Sequence, residues 1–255
     1  MRRPESEGLL DLLEARRGLV CMVGAGGKKT ILYRLAAEHP GRVAVSATSH
    51  VEHFPKWLSA VVIAPEAELL EQVRDALSRN TIVAFAQPSA KAGRFAGLSG
   101  AALEEIVLHA GFDVCFVKAD GARNRLLKAP DEHEPPIPTG THTVIPVLSA
   151  KALGLPVSDR VVHRLEHFTA VTGARPGQAI TPSHLARLLS AEHGALQNVG
   201  NAHVVPVITM AGGERTAPAR EAAQKALTLT ARFDRVVLAE MRDERAVVEV
   251  VRRPG

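Results

Sequence analysis

Residues 19–30 read Leu-Val-Cys-Met-Val-Gly-Ala-Gly-Gly-Lys-Lys-Thr, so an apolar run passes directly into a glycine-rich turn that ends in two lysines and a threonine. Glycine lets backbone N–H groups point into a turn without steric conflict at Cβ. A helix that follows such a turn adds partial positive charge at its N-terminus. The stretch therefore predicts a strand, an anion-binding loop and a helix in immediate succession.

The turn has the form Gly-x-x-Gly-Lys-x-Thr, which is shorter than the usual Gly-x-x-x-x-Gly-Lys-Ser/Thr phosphate loop. Lys28 is the expected ligand of the distal phosphates of a nucleoside triphosphate, ATP or GTP. Lys29 stands where a hydroxyl usually ligates Mg²⁺, so Thr30 is the expected magnesium ligand of the loop. The alternative is a turn that is rich in glycine only because it packs tightly. The predicted ligand residues are Gly24, Ala25, Gly26, Gly27, Lys28, Lys29 and Thr30.

Apolar runs of strand length, among them 203–209, alternate with segments of helical period, among them 160–171, along the rest of the chain. This alternation predicts an α/β fold with a mainly parallel sheet and helices on both faces, similar to P-loop NTPases. The run 245–251 is expected to be an antiparallel edge strand beside 234–240. We expect one domain over residues 1–255, with long loops at 87–98 and 120–141. Both loops follow strands, so we expect them at the carboxyl edge of the sheet, where ligands bind.

Asp120 ends the apolar run 112–119 and is the second candidate catalytic residue beside Lys28. A carboxylate at that strand end can hold Mg²⁺ or its waters opposite a phosphate loop. The cations that follow it are expected to clamp a phosphate or carboxylate group. The alternative is an ordinary solvated charged loop. These cations are Arg123, Arg125 and Lys128.

Two further segments contribute candidate ligands. His133 and Glu134, in Asp-Glu-His-Glu-Pro-Pro, could serve acid–base or metal chemistry, or could form an acidic surface turn. Thr48 and His50 follow the second predicted strand. They are expected to contact phosphate or magnesium-bound water, and the alternative is that their side chains cap a turn.

A zinc hydrolase is a remote alternative. His163-Arg164-Leu165-Glu166-His167 matches His-x-x-Glu-His, and on a helix the two histidines would share one face. A catalytic zinc also needs a third protein ligand, and no residue of the sequence identifies one.

Composition excludes other classes of function. Lys and Arg number 31 and Asp and Glu 27, and the net charge of +4 is too weak and scattered to predict nucleic-acid binding, with aromatics at only 4%. No apolar run reaches the ~18 residues of a membrane span. Cys21 and Cys115 lie in apolar runs and are expected to be buried free thiols. We therefore expect no nucleic-acid or membrane partner, and a reducing, cytoplasmic location.

Three motifs resemble the YqeC-type family: Val-Gly-Ala-Gly-Gly-Lys-Lys-Thr at 23–30, Ala-Asp-Gly-Ala-Arg at 119–123 and Leu-Lys-Ala-Pro-Asp-Glu-His-Glu-Pro-Pro-Ile-Pro at 127–138. The last motif is the most specific of the three. The resemblance implies a P-loop-like accessory protein that helps to mature a selenium-dependent molybdenum hydroxylase. It implies a nucleotide, a molybdopterin-type cofactor and the hydroxylase client as partners, with Mg²⁺ as a cofactor.

The chain departs from the family pattern at positions that bear on chemistry. Lys29 replaces a hydroxyl of the loop, Lys118 replaces an acid before Asp120, and Thr209-Met210-Ala211 stands where the family has Asn-Lys. An ammonium can replace a divalent cation electrostatically, but it does not template phosphoryl transfer. We therefore expect phosphate binding to persist while NTP hydrolysis, or phosphoryl or nucleotidyl transfer, is slow or absent. The alternative is a non-catalytic phosphate or cofactor carrier or chaperone.

Overall fold

The computed structural model describes residues 8–253, and the remainder of the predicted domain lies outside them. Within that range the strands are β1 Gly18–Gly24, β2 Val43–Ala47, β3 Val51–Glu52, β4 Val61–Ile63, β5 Ile82–Ala86, β6 Arg94–Phe95, β7 Val114–Lys118, β8 Leu127–Lys128, β9 Thr141–Ser149, β10 Val162–His163, β11 His203–Val204, β12 Val207–Thr209, β13 Arg235–Ala239 and β14 Val247–Arg252. The α-helices are α1 Leu9–Leu12, α2 Lys28–Glu38, α3 Glu66–Arg79, α4 Gly100–Ala110, α5 Leu165–Thr172, α6 Pro182–Ser190 and α7 Thr216–Leu229.

The main sheet has the strand order β14-β13-β12-β9-β1-β7-β2-β5-β4, with β11 also paired to β9. Every pairing in it is parallel except that of β13 with β14, which is antiparallel. The predicted α/β class, the mainly parallel sheet and the antiparallel C-terminal strand are therefore confirmed. β1 lies at the centre between β9 and β7, so the turn that follows it opens at the middle of the carboxyl edge.

Side chains of β1 alternate between two cores, as they must in a strand that is buried on both faces. Leu19, Cys21 and Val23 pack in a core that includes residues of α3 to α7. Val20 and Met22 pack in the other, which includes residues of α1 and α2. Helices therefore cover both faces of the sheet. The cysteines, Cys21 and Cys115, are buried and free, as predicted.

The predicted strand 203–209 is interrupted. β11 and β12 both pair with β9, and Pro206 lies between them. Proline has no N–H to donate to the ladder, although its carbonyl still accepts a bond of 2.9 Å from Val237 N. Among the helices of residues 8–253, none combines the length and apolar character that crossing a bilayer requires.

Candidate functional site

The glycine turn joins β1 to α2 and packs closely against β9. Gly24 and Gly26 have φ values of +87° and +84°, a region that side chains rarely adopt. A Cβ on Gly24 would lie 2.4 Å from Val147 O, and one on Gly26 would lie 2.5 Å from Ser149 Cβ. Ala25 is buried and its N–H donates to Val147 O at 2.8 Å. Tight packing therefore requires both glycines, whatever the turn binds.

The turn also leaves the N-terminus of α2 open. Gly27 is the N-cap, and no side chain within residues 8–253 caps this helix. The first backbone bond of the helix runs from Ile31 N to Gly27 O. The earlier N–H groups of a helix have no intrahelical partner, and their partial positive charge favours an anion.

A cavity of about 430 Å³ opens beside this helix end. Its far wall comes from the connections that follow β9, β12 and β13, on one side of β1. Three cationic side chains line it against a single carboxylate, Glu240. A concave site with a few convergent polar groups is the default position for a ligand. The lining residues of interest are Gly26, Gly27, Thr30, Lys151, Arg215 and Arg242.

Sequence reasoning placed Gly26, Gly27 and Thr30 at a ligand site, and the family resemblance singled out Thr209 and Met210, which also line this cavity. Sequence reasoning missed the charged residues of the cavity, which are Lys151, Arg215, Glu240 and Arg242. Thr209 ends β12 and Glu240 directly follows β13. The carboxyl ends of parallel strands meet at one edge of a sheet. Position after a predicted strand is therefore the signal that could have found the far wall.

The side chain of Lys28 runs beneath the turn. Its Nζ lies 2.6 Å from Asp120 Oδ1 and also donates to the carbonyl of Gly24. The residue is 6% exposed, and burial lowers the pKa of Lys28 despite the neighbouring carboxylate. In this structure Lys28 neutralises the buried carboxylate of Asp120 and stabilises the turn through its hydrogen bond to Gly24. Contact with a phosphate requires it to leave Asp120.

Asp120 lies just beyond β7, as predicted, and is 2% exposed. Its Oδ2 accepts from Gly24 N–H at 3.0 Å and lies 3.0 Å from Lys128 Nζ. Its Oδ1 meets Lys28 as a charge contact, and no group of the described chain donates a well-directed hydrogen bond to that oxygen. Asp120 thereby ties the end of β7 to the glycine turn.

The predicted magnesium site would combine Asp120 with Thr30. Both oxygens of Asp120 contact ammonium groups, which already supply the positive charge that a metal ion would bring. Thr30 lines the cavity instead. Between residues 8 and 253, no group of three or more His, Cys, Asp or Glu side chains is placed to hold a metal ion. The residues as arranged do not fit a magnesium ion at Asp120.

Lys128 extends these contacts into the loop that follows β7. Its side chain is fully buried, and its Nζ lies 2.9 Å from Glu134 Oε2 as well as 3.0 Å from Asp120. Glu134 also accepts from Arg164 Nε at 2.9 Å, and Arg164 pairs with Asp131. We call this chain of contacts the ion network. Its members are Lys28, Asp120, Lys128, Glu134, Arg164 and Asp131.

The predicted anion clamp of Arg123, Arg125 and Lys128 is not formed. Lys128 is interior, Arg125 donates to backbone carbonyls, and Arg123 is exposed. The predicted ligand His133 has a largely exposed side chain. The loop 120–141 contains the motif that is most specific to the family, and its Lys128 forms an ion pair with Asp120.

The pKa of Glu134 makes a pH-dependent contribution to stability. Burial alone would raise it, but hydrogen bonds from Arg164 and Lys128 outweigh burial and lower the pKa to about 2. A depressed carboxyl pKa stabilises the fold above the unfolded value of 4.5, and this stabilisation is lost as the pH falls towards 2.

We therefore expect Glu134→Gln to be less stable than the parent by on the order of 2 kcal/mol at pH 7. The difference should shrink steadily below pH 4.5 and approach zero near pH 2. Urea unfolding at several pH values measures it. A difference that is independent of pH over this range would contradict the assignment.

The remaining predicted ligands take different positions. Thr48 Oγ1 lies 2.9 Å from Pro136 O, so its hydroxyl links the end of β2 to the loop after β7. Lys29 pairs with Glu52 near the surface. His50 is exposed at the same edge of the sheet. Lys29 and His50 therefore lie apart from the cavity, on the side of β2.

The zinc alternative assumes that His163 and His167 lie on one helix, and this assumption is wrong. His163 belongs to β10, which pairs with β8, whereas His167 lies in α5. Arg164 separates the two elements with a left-handed backbone, φ +63°. The two histidines therefore do not occupy successive turns of one helix.

The fold and the site define an α/β protein with a glycine turn and a cationic cavity at the carboxyl edge of a mainly parallel sheet. A model of the YqeC protein family matches residues 20–166 of this chain. The "Uncharacterized protein YqeC" of Escherichia coli (strain K12) is 34% identical over 193 residues, which cover 73% of each chain. The chain belongs to the YqeC family. The matched region contains the glycine turn and the whole ion network, whereas Arg215, Glu240 and Arg242 of the cavity lie beyond it.

Proposed function

We propose that this protein binds a nucleoside triphosphate, ATP or GTP, with its phosphates at the N-terminus of α2 and its sugar and base in the adjoining cavity. The observation that carries the proposal is the uncapped helix end at Gly27, which opens onto a cavity lined by three cations. Free N–H groups and cationic side chains are the groups that bind polyphosphate. A volume of about 430 Å³ lies in the range of small-molecule sites.

The cations of the cavity, rather than a metal ion at Asp120, neutralise the phosphates in this proposal. Lys28 and Lys128 already balance Asp120, so we expect nucleotide binding to survive EDTA. Ammonium groups attract phosphate without templating phosphoryl transfer as Mg²⁺ does. The proposed role is therefore nucleotide-dependent carriage or assembly rather than rapid turnover.

We expect Lys151→Met and Arg242→Met each to weaken nucleotide binding about tenfold, since a hydrogen bond to a charged group contributes roughly 1.5 kcal/mol. Isothermal titration calorimetry with ATP, GTP and CTP, with Mg²⁺ or with EDTA, measures the affinities. The matched control is Lys225→Met, which removes the same charge from the exposed face of α7 and should leave every affinity unchanged.

Two results would count against this proposal. An absence of saturable binding by all three nucleotides would remove the nucleotide site. A strict requirement for Mg²⁺ would show that Asp120 exchanges its ammonium partners for a metal, and would favour the catalytic alternative. Steady-state NTP turnover with Mg²⁺ then tests whether that alternative holds.

We further propose, from the family resemblance, that the client of the protein is a molybdenum hydroxylase. Molybdopterin carries a phosphate group and is therefore a second ligand for the calorimetric panel. In cells without this protein, the hydroxylase polypeptide should accumulate with reduced activity. Re-expression of the parent should restore that activity, and Lys225→Met should restore it equally. Equal hydroxylase activity with and without the protein would contradict the accessory role.

A further inference from the structure

A second group of cations lies on the opposite side of the glycine turn from the cavity. β7 and β2 occupy that side of β1, whereas the cavity lies towards β9, β12 and β13. One carboxylate, Glu52, lies among these cations and pairs with Lys29. We call the group the basic cluster. Its members are the cations Lys29, Lys91, Arg94 and Lys118, together with His50, whose pKa is lowered by burial and next by Lys91, so that its imidazole is neutral at pH 7.

Chain geometry brings the basic cluster together. β3 and β6 pair antiparallel, so Arg94 lies opposite Glu52. Gly97 packs directly on the end of β2, because a Cβ there would lie 2.5 Å from Ser49 N. The loop 87–98 is therefore folded onto the carboxyl edge of the sheet. It brings its cations to the place where Lys118 ends β7.

Lys118 is the member of the cluster that most needs a counter-charge. Its Nζ donates to Ser49 Oγ at 2.7 Å and to His50 O at 2.9 Å, and no carboxylate of the described chain forms an ion pair with it. The side chain is partly buried. An ammonium withdrawn from water without an opposite charge is unfavourable.

We propose that Lys118, with His50 and Arg94 beside it, forms a second anion site that binds a phosphate group. An anion here would supply the missing counter-charge, and Ser49 would offer it a hydroxyl. The phosphate is either the terminal group of the bound nucleotide or the phosphate monoester of a second substrate. Only the first of these sources rests on the proposed nucleotide function.

The test compares Lys118→Met, Lys118→Arg and the control Lys225→Met by calorimetry at pH 7, with ATP, ADP, GTP, GDP and inorganic phosphate as probes. Lys118→Met keeps the aliphatic stem and removes the charge, so we expect about tenfold weaker binding of the phosphate that occupies the site. Lys118→Arg keeps the charge and should retain most of the affinity. Equal thermal unfolding temperatures of the variants verify that they fold.

The probes distinguish the two sources. If Lys118→Met weakens the binding of the triphosphates but not of the diphosphates, the terminal phosphate of the nucleotide lies at Lys118. If Lys118→Met leaves the affinity for every nucleotide unchanged but weakens the binding of inorganic phosphate to ADP-saturated or GDP-saturated protein, the phosphate at Lys118 belongs to a second substrate. Identical behaviour of Lys118→Met and Lys225→Met with every probe would overturn the site and leave the nucleotide proposal intact. If the protein binds inorganic phosphate through Lys118 but binds no nucleotide, the second anion site is supported and the nucleotide proposal is overturned.

A pH series gives an independent readout. Burial, and next the charge of Lys28, lower the pKa of Lys118 to about 8. The protonated form binds the anion, so affinity for inorganic phosphate should fall as the pH rises through 8, and Lys118→Arg should abolish that fall. A fall of the same size in Lys118→Arg would contradict the role of Lys118. The charged and titratable groups that face it lie on α2, in the segment after β7, and in the segment after β2 that includes β3. They are Lys28, Lys29, Asp120, Lys128, His50 and Glu52.

Discussion

Replacement of Asp120 by Asn is expected to lower the free energy of unfolding by about 3–5 kcal/mol, the range for removing one partner of a buried ion pair. Asp120 is 2% exposed and contacts the ammonium groups of Lys28 and Lys128. The amide keeps the shape of the side chain but removes its charge. Lys28 then stays buried with no carboxylate in contact, whereas Lys128 retains Glu134.

Urea unfolding at pH 7 measures this effect, and Asp75→Asn is the matched control. Asp75 makes an exposed ion pair with Arg79 on α3, and such pairs contribute at most about 1 kcal/mol. Adding Lys28→Met to Asp120→Asn should recover part of the loss, because it removes the stranded charge. Equal losses for Asp120→Asn and Asp75→Asn would show that the ion network is not a stabilising element.

Replacement of Gly24 by Ala is the second large effect that we expect, with a loss of about 2–5 kcal/mol. The positive φ of +87° costs a side chain about 1–2 kcal/mol. The added methyl group would also lie 2.4 Å from Val147 O, a backbone atom of a central strand that cannot turn aside. Overpacking of this kind typically costs a further 1–3 kcal/mol.

Gly154→Ala is the control that separates the two causes. Gly154 has a similar φ of +79°, but an added Cβ would meet no atom within 4 Å. It should therefore cost only the conformational term of about 1–2 kcal/mol. Thermal or urea unfolding compares the pair. Similar losses at both positions would show that the turn adapts to a side chain, and that its contact with β9 is loose.

The alternation of apolar runs and helical segments was sufficient to predict the sheet and most of its elements. β7 and α2 form where the pattern indicates them, because strands buried on two faces must be apolar throughout. The pattern failed where two elements meet within a few residues. The segment 160–171 has helical spacing, yet its first part pairs with β8 and becomes β10. Long-range backbone pairing there overrides local periodicity.

The candidate site was predicted in part. The glycine turn and Asp120 lie where the sequence indicates, since both directly follow strands of the sheet. The direction in which a charged side chain points is not encoded locally. Lys28 and Lys128 were expected to face a ligand, but both turn inwards to Asp120, because an interior carboxylate requires opposite charges close by.

The sequence by itself determined the α/β fold class, the strand–turn–helix unit at residues 19–30 and membership of the YqeC family, because these depend on residue patterns that are local in the chain. Only the tertiary structure decided which charges are available to a ligand. Lys128 became interior, whereas Lys151 and Arg242 came to face the glycine turn from the neighbouring strand ends. The reason is physical. A parallel sheet collects residues that are distant in the chain at one edge, and the balance between burial and ion pairing at that edge selects which of them face solvent.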